Sequence, residues 1–391
     1  MAFPIDRVRA DTPGVQGVVH FNNAGSALPP EIVVDTVVGH LRREAEIGGY
    51  EAKAEAEDRL DAVYASLARL VGGRPEQIAV IENATRAWDM AVYGYPFEPG
   101  DRVITGRSEY VSNVVGLLHL RERHGIEIVL VEDDATGQLD LEALDAELER
   151  GAVMVAITHV PTSGGLVNPA EAVGALCRHH NTFYVLDACQ SAGQVPIDVA
   201  AIGCDVLSST GRKYLRGPRG TGFLWVGDRA LERIEPPFID LHAAEWTSDD
   251  SYDIRADARR FENWETYYAG KLGLGAAVDY AMDLGIDATT ERLTELGATL
   301  RSALDEMAGV AVHDKGEQRG GIVTFSVDGV PAAQVEARLR AVDINTSTAT
   351  AGHARYDLAA RGLDSIVRAS VHYYNTEDEV DRFVDVLSGI R

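Results

Sequence analysis

The sequence has no long apolar run and no recognisable export signal. No stretch approaches the roughly 18 unbroken apolar residues that a membrane-spanning helix needs. The first residues, MAFPIDRVRADTPG, lack the basic region and apolar core of a secretory signal. We therefore expect a cytoplasmic protein that has no membrane partner.

Cysteine and basic residues are also scarce. The three cysteines (Cys177, Cys189 and Cys204) are odd in number and lack C-x-x-C spacing, so we expect reduced thiols and no metal site. In the 391 residues, 36 Lys and Arg face 61 Asp and Glu, for a formal net charge of −25. Such a surface repels nucleic acid, which we exclude as a partner, and an anionic ligand must be bound by a local cluster of donors.

Apolar strands alternating with helical stretches are what the sequence does have. From about residue 76, runs such as IAVI (78–81), AVMVAITHV (152–160) and TFYVLDA (182–188) alternate with helical patterns, as βαβ units do. Their continuous apolar character predicts a mostly parallel sheet with helices on both faces. Ligand loops then lie at the carboxyl ends of the strands. One helical stretch, Ile32 to Leu70, precedes this region.

The remaining pattern indicates a second, smaller α+β domain. Strand-like GIVTFSV and SIVRASVHYY alternate there with helical segments. We predict three parts: residues 1–20 as an N-terminal segment that packs with the small domain, 21–260 as the large domain, and 261–391 as the small domain.

Lys213 lies in LSSTGRKYLRGPRGTGFLWV (207–226), a turn rich in hydroxyl groups and glycine between two strand-like runs. A lysine that forms a Schiff base needs a fixed position and a neutral amine. Desolvation and nearby cations favour that state, and Arg212, Arg216 and Arg219 are candidates for the cations. A basic surface loop is the alternative interpretation.

Asp187 ends an apolar strand in VLDACQ (185–190), three residues before Gln190. A carboxylate at a strand end can pair with a protonated pyridine nitrogen, although Asp in this position also caps helices. Its place 26 residues before Lys213 favours the functional interpretation.

A phosphate group needs hydroxyl and backbone N–H groups at the start of a helix. Asn83 and Thr85, in ENATRAWDM (82–90), lie between a strand and an apparent helix, and Thr210 is a second candidate. Asn and Thr are also common at ordinary helix starts.

Two further polar residues interrupt apolar segments. Arg368, in SIVRASVHYY, is suited to the carboxylate of an amino acid, or else occupies an exposed strand position. His159, in ITHVPTSGG, ends a strand and taken alone is typical of a structural histidine.

Five features, taken in order, resemble the class V aminotransferase family. They are Asn-Ala-Thr (83–85), His159, Asp-x-x-Gln (187–190), Thr-Gly-Arg-Lys (210–213) and Arg-Ala-Ser (368–370). This family of fold type I pyridoxal 5'-phosphate (PLP) enzymes includes cysteine desulfurases, selenocysteine lyases and isopenicillin N epimerase-like proteins. FENW, GLGAA and VRASVHYYNTEDEVDRF extend the resemblance over nearly the whole chain. It implies an α/β, fold type I PLP-dependent transferase fold, with a mostly parallel sheet in the large domain and a smaller α+β C-terminal domain.

The resemblance also implies roles for individual residues. Lys213 would hold PLP as a Schiff base and move protons at the substrate Cα, with Asp187 and His159 as the other catalytic residues. The implied cofactor-binding residues are Ala84, Thr85, Tyr110, Val111, Asp187, Gln190, Thr210, Arg212, Lys213 and Thr266. The implied binding residues for a small amino-acid substrate are Asn23, Ala24, Gly25, Arg368 and His353.

Thr266, in FENWET with Trp264 and Glu265, belongs to a segment that in this family contacts the phosphate in the partner subunit. A homodimer with shared active sites is therefore implied.

The sequence departs from the desulfurase pattern in three places. The loop NTSTATAGHARYDLAARGLDSIVR (345–368) has no cysteine where desulfurases carry their nucleophile. Arg212 stands where desulfurases usually have His. Tyr110 or Val111 must replace their ring-stacking His, and the sequence leaves open which one does.

Three segments resemble the C–S lyase branch that includes the ergothioneine-pathway lyase: the cysteine-free loop, the turn GRKYLRGPRGTG (211–222) and the early helical stretch REAEIGGYEAKAEAE (43–57). That branch implies β-elimination from a cysteine conjugate or its sulfoxide, with release of pyruvate and ammonia. His353, Arg355 and Tyr356 are candidates for the distal part of the substrate, or are ordinary surface residues. A PLP-dependent aminotransferase or amino-acid epimerase is the alternative function; a cysteine desulfurase or a non-catalytic binding protein fits the sequence less well.

Overall fold

The computed structural model describes residues 3–390. Its strands are β1 (Val19–His20), β2 (Ile78–Ile81), β3 (Arg102–Gly106), β4 (Glu127–Val131), β5 (Met154–Thr158), β6 (Phe183–Asp187), β7 (Val206–Thr210), β8 (Gly222–Val226), β9 (Ala244–Ser248), β10 (Ser251–Ile254), β11 (Val310–Val312), β12 (Ile322–Val327), β13 (Ile344–Asn345), β14 (Ser347–Thr350) and β15 (Ser365–Ser370). Its α-helices are α1 (Ile5–Ala10), α2 (Glu31–Ile47), α3 (Gly49–Glu55), α4 (Glu57–Val71), α5 (Ala84–Val92), α6 (Val111–His124), α7 (Leu141–Glu149), α8 (Ala170–His179), α9 (Val199–Ile202), α10 (Asp228–Arg233), α11 (Tyr268–Leu284), α12 (Ile286–Asp305), α13 (Ala332–Arg340) and α14 (Glu377–Ser388).

A seven-stranded sheet forms the centre of the large domain, in the order β2-β8-β7-β6-β5-β3-β4. Strands β3 to β7 run parallel, and β8 is antiparallel to both of its neighbours. The predicted mostly parallel sheet is therefore confirmed. The carboxyl ends of β5, β6 and β7 lie side by side, so the loops after them meet at one edge of the sheet.

Both faces of this sheet are buried, which explains its continuous apolar strands. In β5, Val155 and Ile157 pack into the core on one face, whereas Met154 and Ala156 pack into the core on the other. Helices α4, α8 and α11 contribute to the first core, and helix α5 contributes to the second.

A four-stranded antiparallel sheet, β11-β12-β15-β14, organises the C-terminal part. Helices α12, α13 and α14 share its apolar core. Helix α14 begins at a capping box in which Thr376 and Glu379 satisfy each other's backbone N–H groups. The N-terminal segment reaches this region, because β1 pairs in parallel with β13, Val19 opposite Ile344.

Two details differ from the sequence expectations or extend them. The stretch predicted as one helix, 32–70, consists of three, and the first break is at Gly48, whose φ is 103°. Helix α11, assigned to the small domain, places Leu274 and Val278 in the core of the large sheet. The domain limits at residues 20 and 260 stay a prediction.

Residues 3–390 lack both a membrane-spanning helix and a cluster of metal ligands. None of their helices is long and apolar enough to cross a membrane. Within the same residues, no three His, Cys, Asp or Glu side chains group as metal ligands.

Candidate active site

A pocket of about 550 Å³ opens at the carboxyl edge of the large sheet, where the small domain meets it. Loops from the N-terminal segment, the large domain and the small domain all line it. Eight residues predicted for the site line this pocket: Ala24, Gly25, Tyr110, Val111, Arg212, Lys213, His353 and Arg368.

Lys213 lies on the tight loop between β7 and β8. The loop closes on itself, because Gly217 donates its N–H to the Gly211 carbonyl (2.7 Å) and Arg216, at φ 62°, donates its N–H to the Lys213 carbonyl (2.9 Å). Lys213 is only 5% exposed. Burial lowers the pKa of its amine, and the charges of Arg212 and Arg368 lower that pKa further. Lys213 is therefore a fixed, buried amine with a lowered pKa.

Tyr110 and Val111 both line the pocket, and only one of them is aromatic. The Lys213 Nζ lies 5.9 Å from the centre of the Tyr110 ring. This geometry favours Tyr110 over Val111 as the residue that stacks on a ring attached at Lys213.

Asp187 ends β6 and is buried beneath the pocket. Its two oxygens accept hydrogen bonds from the Cys189 N–H (2.8 Å) and from Asn113 Nδ2 (2.9 Å). Burial raises the pKa of the Asp187 carboxyl. The two hydrogen bonds and the charge of Lys213 lower this pKa, but the effect of burial is larger. A cationic partner would stabilise its ionised form.

A buried carboxyl group that the sequence analysis missed lies next to Asp187. Glu109 Oε1 accepts hydrogen bonds from the Tyr110 N–H, from Asn113 Nδ2 (both 2.8 Å) and from the Thr158 hydroxyl. Burial, with the nearby charge of Asp187, raises the pKa of Glu109 to about 7. Asn113 therefore bridges two carboxyl groups. Its position four residues after Glu109 was the sequence feature that could have indicated this contact.

Arg368, on β15, reaches the pocket from the small domain. Its guanidinium donates to Thr162 Oγ1 (2.7 Å) and to Asn22 Oδ1 (3.1 Å). Gln190 Nε2 donates to the same Thr162 hydroxyl (2.9 Å) and to the Ala24 carbonyl (3.0 Å). Thr162, which the sequence analysis also missed, thus links the predicted carboxylate-binding and ring-binding residues.

The turn formed by residues 22–26, called the N-terminal turn below, is fixed to β15. The Asn23 side chain donates to the Ser370 carbonyl (2.7 Å), and the Ala24 N–H donates to the Ser370 hydroxyl (2.9 Å). Asn23 is fully buried, so it supports the turn and does not line the pocket. Gly25 accepts a hydrogen bond from Arg212, which joins the turn to the lysine loop.

The predicted phosphate-binding residues lie together at the start of α5. Asn83 caps this helix by accepting the Arg86 N–H (3.0 Å), and the N–H groups of Ala84 and Thr85 have no acceptor within the helix. Gly222, the first residue of β8, lets the end of β7 and the start of α5 approach each other closely. A side chain at this position would clash, because its Cβ would lie 2.5 Å from the Ser209 carbonyl oxygen and 3.0 Å from the Asn83 Cα. Next to Ser209, Thr210 ends β7, with its hydroxyl 3.2 Å from the Thr221 carbonyl oxygen.

Several predicted residues lie away from the pocket. Thr266 is in a separate cleft with Trp264 and Tyr267, and its contact with a partner subunit stays a prediction. Arg355 and Tyr356 do not line the pocket, whereas His353 does. His159 is buried at the end of β5, where burial lowers the pKa of its imidazole to about 4, so it is neutral and its catalytic role also stays a prediction.

Comparison with known proteins identifies the family. The model of the family "Aminotransferase class-V" matches residues 19–383. The chain belongs to the class V aminotransferase family. Members of this family depend on PLP, and the fold type I assignment is confirmed.

Several relatives with similar sequences are named as cysteine desulfurases. A "Probable cysteine desulfurase" of Xylella fastidiosa (strain Temecula1) is 32% identical over 99% of this chain and 95% of its own length. A "Cysteine desulfurase" of Yersinia pestis (strain Pestoides F) is 31% identical over 100% and 99%. The solved apo structure of a cysteine desulfurase from Thermococcus onnurineus NA1 has a TM-score of 0.92 and 26% identity, and the match covers 100% of this chain and 98% of that one.

The side chains around Lys213 fit PLP. Among residues 3–390, His159 Nδ1, Gln190 Oε1, Ser208 Oγ and Arg368 Nε are buried polar atoms that make no hydrogen bond within the protein. A polar ring beside Lys213 and a carboxylate substrate would offer partners to such atoms. The class V aminotransferase therefore has the amine, the buried carboxyl group and the helix start that the cofactor requires.

Proposed function

We propose that this member of the class V aminotransferase family is a PLP-dependent C–S lyase. Its substrate would be a cysteine conjugate or the sulfoxide of one, cleaved between Cβ and sulfur by β-elimination. The observation that carries this proposal is the loop over the pocket, residues 345–368, which has no cysteine.

The three cysteines support elimination over sulfur transfer to the enzyme. Cys177 and Cys204 are buried in the core of the large sheet. Cys189 lies beside Lys213, but burial raises the pKa of its thiol, and its backbone N–H is bonded to Asp187. A neutral thiol is a poor nucleophile, so Cys189 is a poor substitute for the loop cysteine that a desulfurase uses.

The residues that would hold PLP follow from the site. Lys213 would bind it covalently, Asp187 would pair with the ring nitrogen, and the start of α5 with Thr210 would bind the phosphate. Tyr110 would stack on the ring. When bound, PLP supplies an electron sink next to the substrate Cα.

The pocket residues account for the remaining steps. Arg368 binds the α-carboxylate and so orients the bond between Cα and its hydrogen toward Lys213. The neutral Lys213 amine takes the proton from Cα, and the electron pair left behind expels the sulfur from Cβ. Substrate and one water thus yield a thiol (a sulfenic acid from a sulfoxide), pyruvate and ammonia.

A product assay tests this proposal. The purified holoenzyme is incubated with S-alkyl cysteines, their sulfoxides and free cysteine, and the products are separated. Pyruvate and ammonia in equal amounts are expected. Alanine with enzyme-bound sulfur would show a desulfurase, a stable pyridoxamine form would show an aminotransferase, and an inverted Cα would show an epimerase.

Lys213→Ala tests the site itself. This variant should lose the absorbance of the Schiff base between the lysine and the cofactor, and all turnover, because both depend on the amine. Arg338→Ala, on an exposed position of α13, is the control and should keep both. Wild-type absorbance and turnover in Lys213→Ala would contradict the proposal.

We also propose that the enzyme is a homodimer. Around the cleft that contains Thr266, Tyr50 is 75% exposed, Trp264 is 42% exposed and Tyr267 is 43% exposed. Aromatic side chains clustered on a surface are typical of protein interfaces. Light scattering of the purified enzyme should give twice the chain mass of 42.2 kDa.

A further inference from the structure

The pocket is strongly cationic in a strongly anionic protein. Four basic residues line it, namely the arginines Arg212, Arg219 and Arg368 and the amine of Lys213, together with two histidines, and no Asp or Glu does. Within residues 3–390, none of these four basic residues forms an ion pair with a carboxylate. Elsewhere ion pairing is common, as in Arg102 with Glu147, Arg229 with Asp205 and Arg301 with Asp314.

Three of these four basic residues have other functions in the proposed site. Lys213 is the attachment point of the cofactor, and Arg368 is committed to the α-carboxylate by its contacts with Thr162 and Asn22. Arg212 donates to the Gly25 carbonyl. Arg219 is left over: it is exposed at the pocket and makes no side-chain hydrogen bond within residues 3–390.

Arg219 shares this pocket with Arg368 and His353, whereas the proposed phosphate-binding residues at the start of α5 and at Thr210 do not line it. An uncompensated cation in a pocket raises the local concentration of anions, and a guanidinium binds carboxylate, sulfonate or phosphate oxygens in pairs.

We infer that the substrate carries a second anionic group on the part distal to Cα, and that Arg219, with His353 beside the same pocket, recognises it. Arg368 would bind the first anion, the α-carboxylate. The role of Arg368 comes from the proposed function, so the inference rests on that proposal. It predicts an amino acid with two acidic groups, such as a cysteine conjugate whose sulfur substituent ends in a carboxylate.

A matched pair of substrates tests this inference. S-(2-carboxyethyl)-L-cysteine and S-(2-carbamoylethyl)-L-cysteine have nearly the same shape and differ in one charge. The acid should be preferred in kcat/KM by about tenfold or more, chiefly through KM, because a charge-assisted hydrogen bond of this kind favours binding by at least about 1.4 kcal/mol.

Variants assign the preference to Arg219. Arg219→Gln should bring the ratio of the two kcat/KM values close to one, and Arg219→Lys should retain part of the preference. Arg338→Gln, which removes an exposed arginine outside the pocket, should leave the ratio unchanged. An equal preference in wild type, or an unchanged ratio in Arg219→Gln, would overturn the inference.

A binding measurement separates this inference from the proposed reaction. L-2-Aminoadipate and its side-chain amide have no leaving group at Cβ, and their binding is read from the visible spectrum of the holoenzyme. Tighter binding of the acid, lost in Arg219→Gln, supports the second anion site even when neither cysteine conjugate yields pyruvate. Pyruvate release combined with equal binding of acid and amide would leave the lyase standing and reject the anion site.

Discussion

The buried Glu109 carboxyl makes the stability of this protein depend on pH in a specific direction. Its pKa is about 7 in the folded protein, against an ordinary value of 4.5. Because the folded state holds the proton more tightly, the stabilisation is complete below pH 4.5 and is lost as the pH rises through 7. Glu109→Gln should therefore stabilise the protein more and more as the pH rises.

The structure explains why Gln is the appropriate replacement. Glu109 Oε1 accepts three hydrogen bonds, whereas Oε2 is 3.4 Å from the Thr105 hydroxyl. A glutamine keeps the acceptor at Oε1 and places an N–H near Thr105, as the protonated acid does with its O–H. The substitution thus imitates the neutral carboxyl group without changing its volume.

The expected size follows from the shift in pKa. The gain in the free energy of unfolding is about 1.4 kcal/mol at pH 5.5 and about 3 kcal/mol at pH 8.5. With an unfolding entropy of roughly 0.8 kcal/mol per degree for a chain of this length, the midpoint should rise by about 2 °C and about 4 °C respectively.

Thermal unfolding of wild type and variant at the two pH values is the assay. Glu122→Gln, at an exposed position of α6, is the matched control and should differ from wild type equally at both pH values. A difference between Glu109→Gln and wild type that does not grow with pH, or a variant that is less stable at pH 8.5, would refute a buried neutral carboxyl group.

Three other substitutions test the site and its support. Asp187→Asn should lower kcat by about 100-fold or more, since a neutral amide cannot pair with a protonated ring nitrogen. Steady-state pyruvate release measures this change, and an increase in KM with an unchanged kcat would argue against it. Arg368→Lys should raise KM for the amino acid by about tenfold or more, because the paired hydrogen bonds to a carboxylate are lost; an unchanged KM would remove Arg368 from substrate binding. Gly174→Ala should destabilise the fold by at least about 2 kcal/mol, because the new methyl group overlaps the Ile202 carbonyl oxygen; a wild-type denaturation midpoint would contradict this.

The large domain could be predicted from sequence because its signals are local. The run 78–81 is a strand with the predicted limits, and the run 182–188 contains the strand Phe183–Asp187, since strands buried on both faces are apolar at nearly every position. The stretch 32–70 could not be divided correctly, because its apolar periodicity continues across the break. Gly48 interrupts it where α2 and α4 pack separately against α11.

The candidate site was predictable only in part. Lys213 and Arg368 stand out because a charged residue in an apolar or glycine-rich segment is unusual. Glu109 and Thr162 do not, since an acid after a strand and a threonine in a loop look like surface residues. Glu109 lies beside Thr158, on β5, and Asn113, on α6, and that proximity is a property of the folded sheet.

Segments far apart in the chain must meet before the pocket is complete. Asn22 pairs with Ser370, and the Arg216 guanidinium binds both Thr12 (2.5 Å) and Tyr373 (3.2 Å). A nascent chain that stops before β15 has the lysine loop but neither Arg368 nor the strand that fixes the turn at residues 22–26. The lysine amine of such a chain therefore stays without the arginine proposed to bind substrate until β15 has been synthesised.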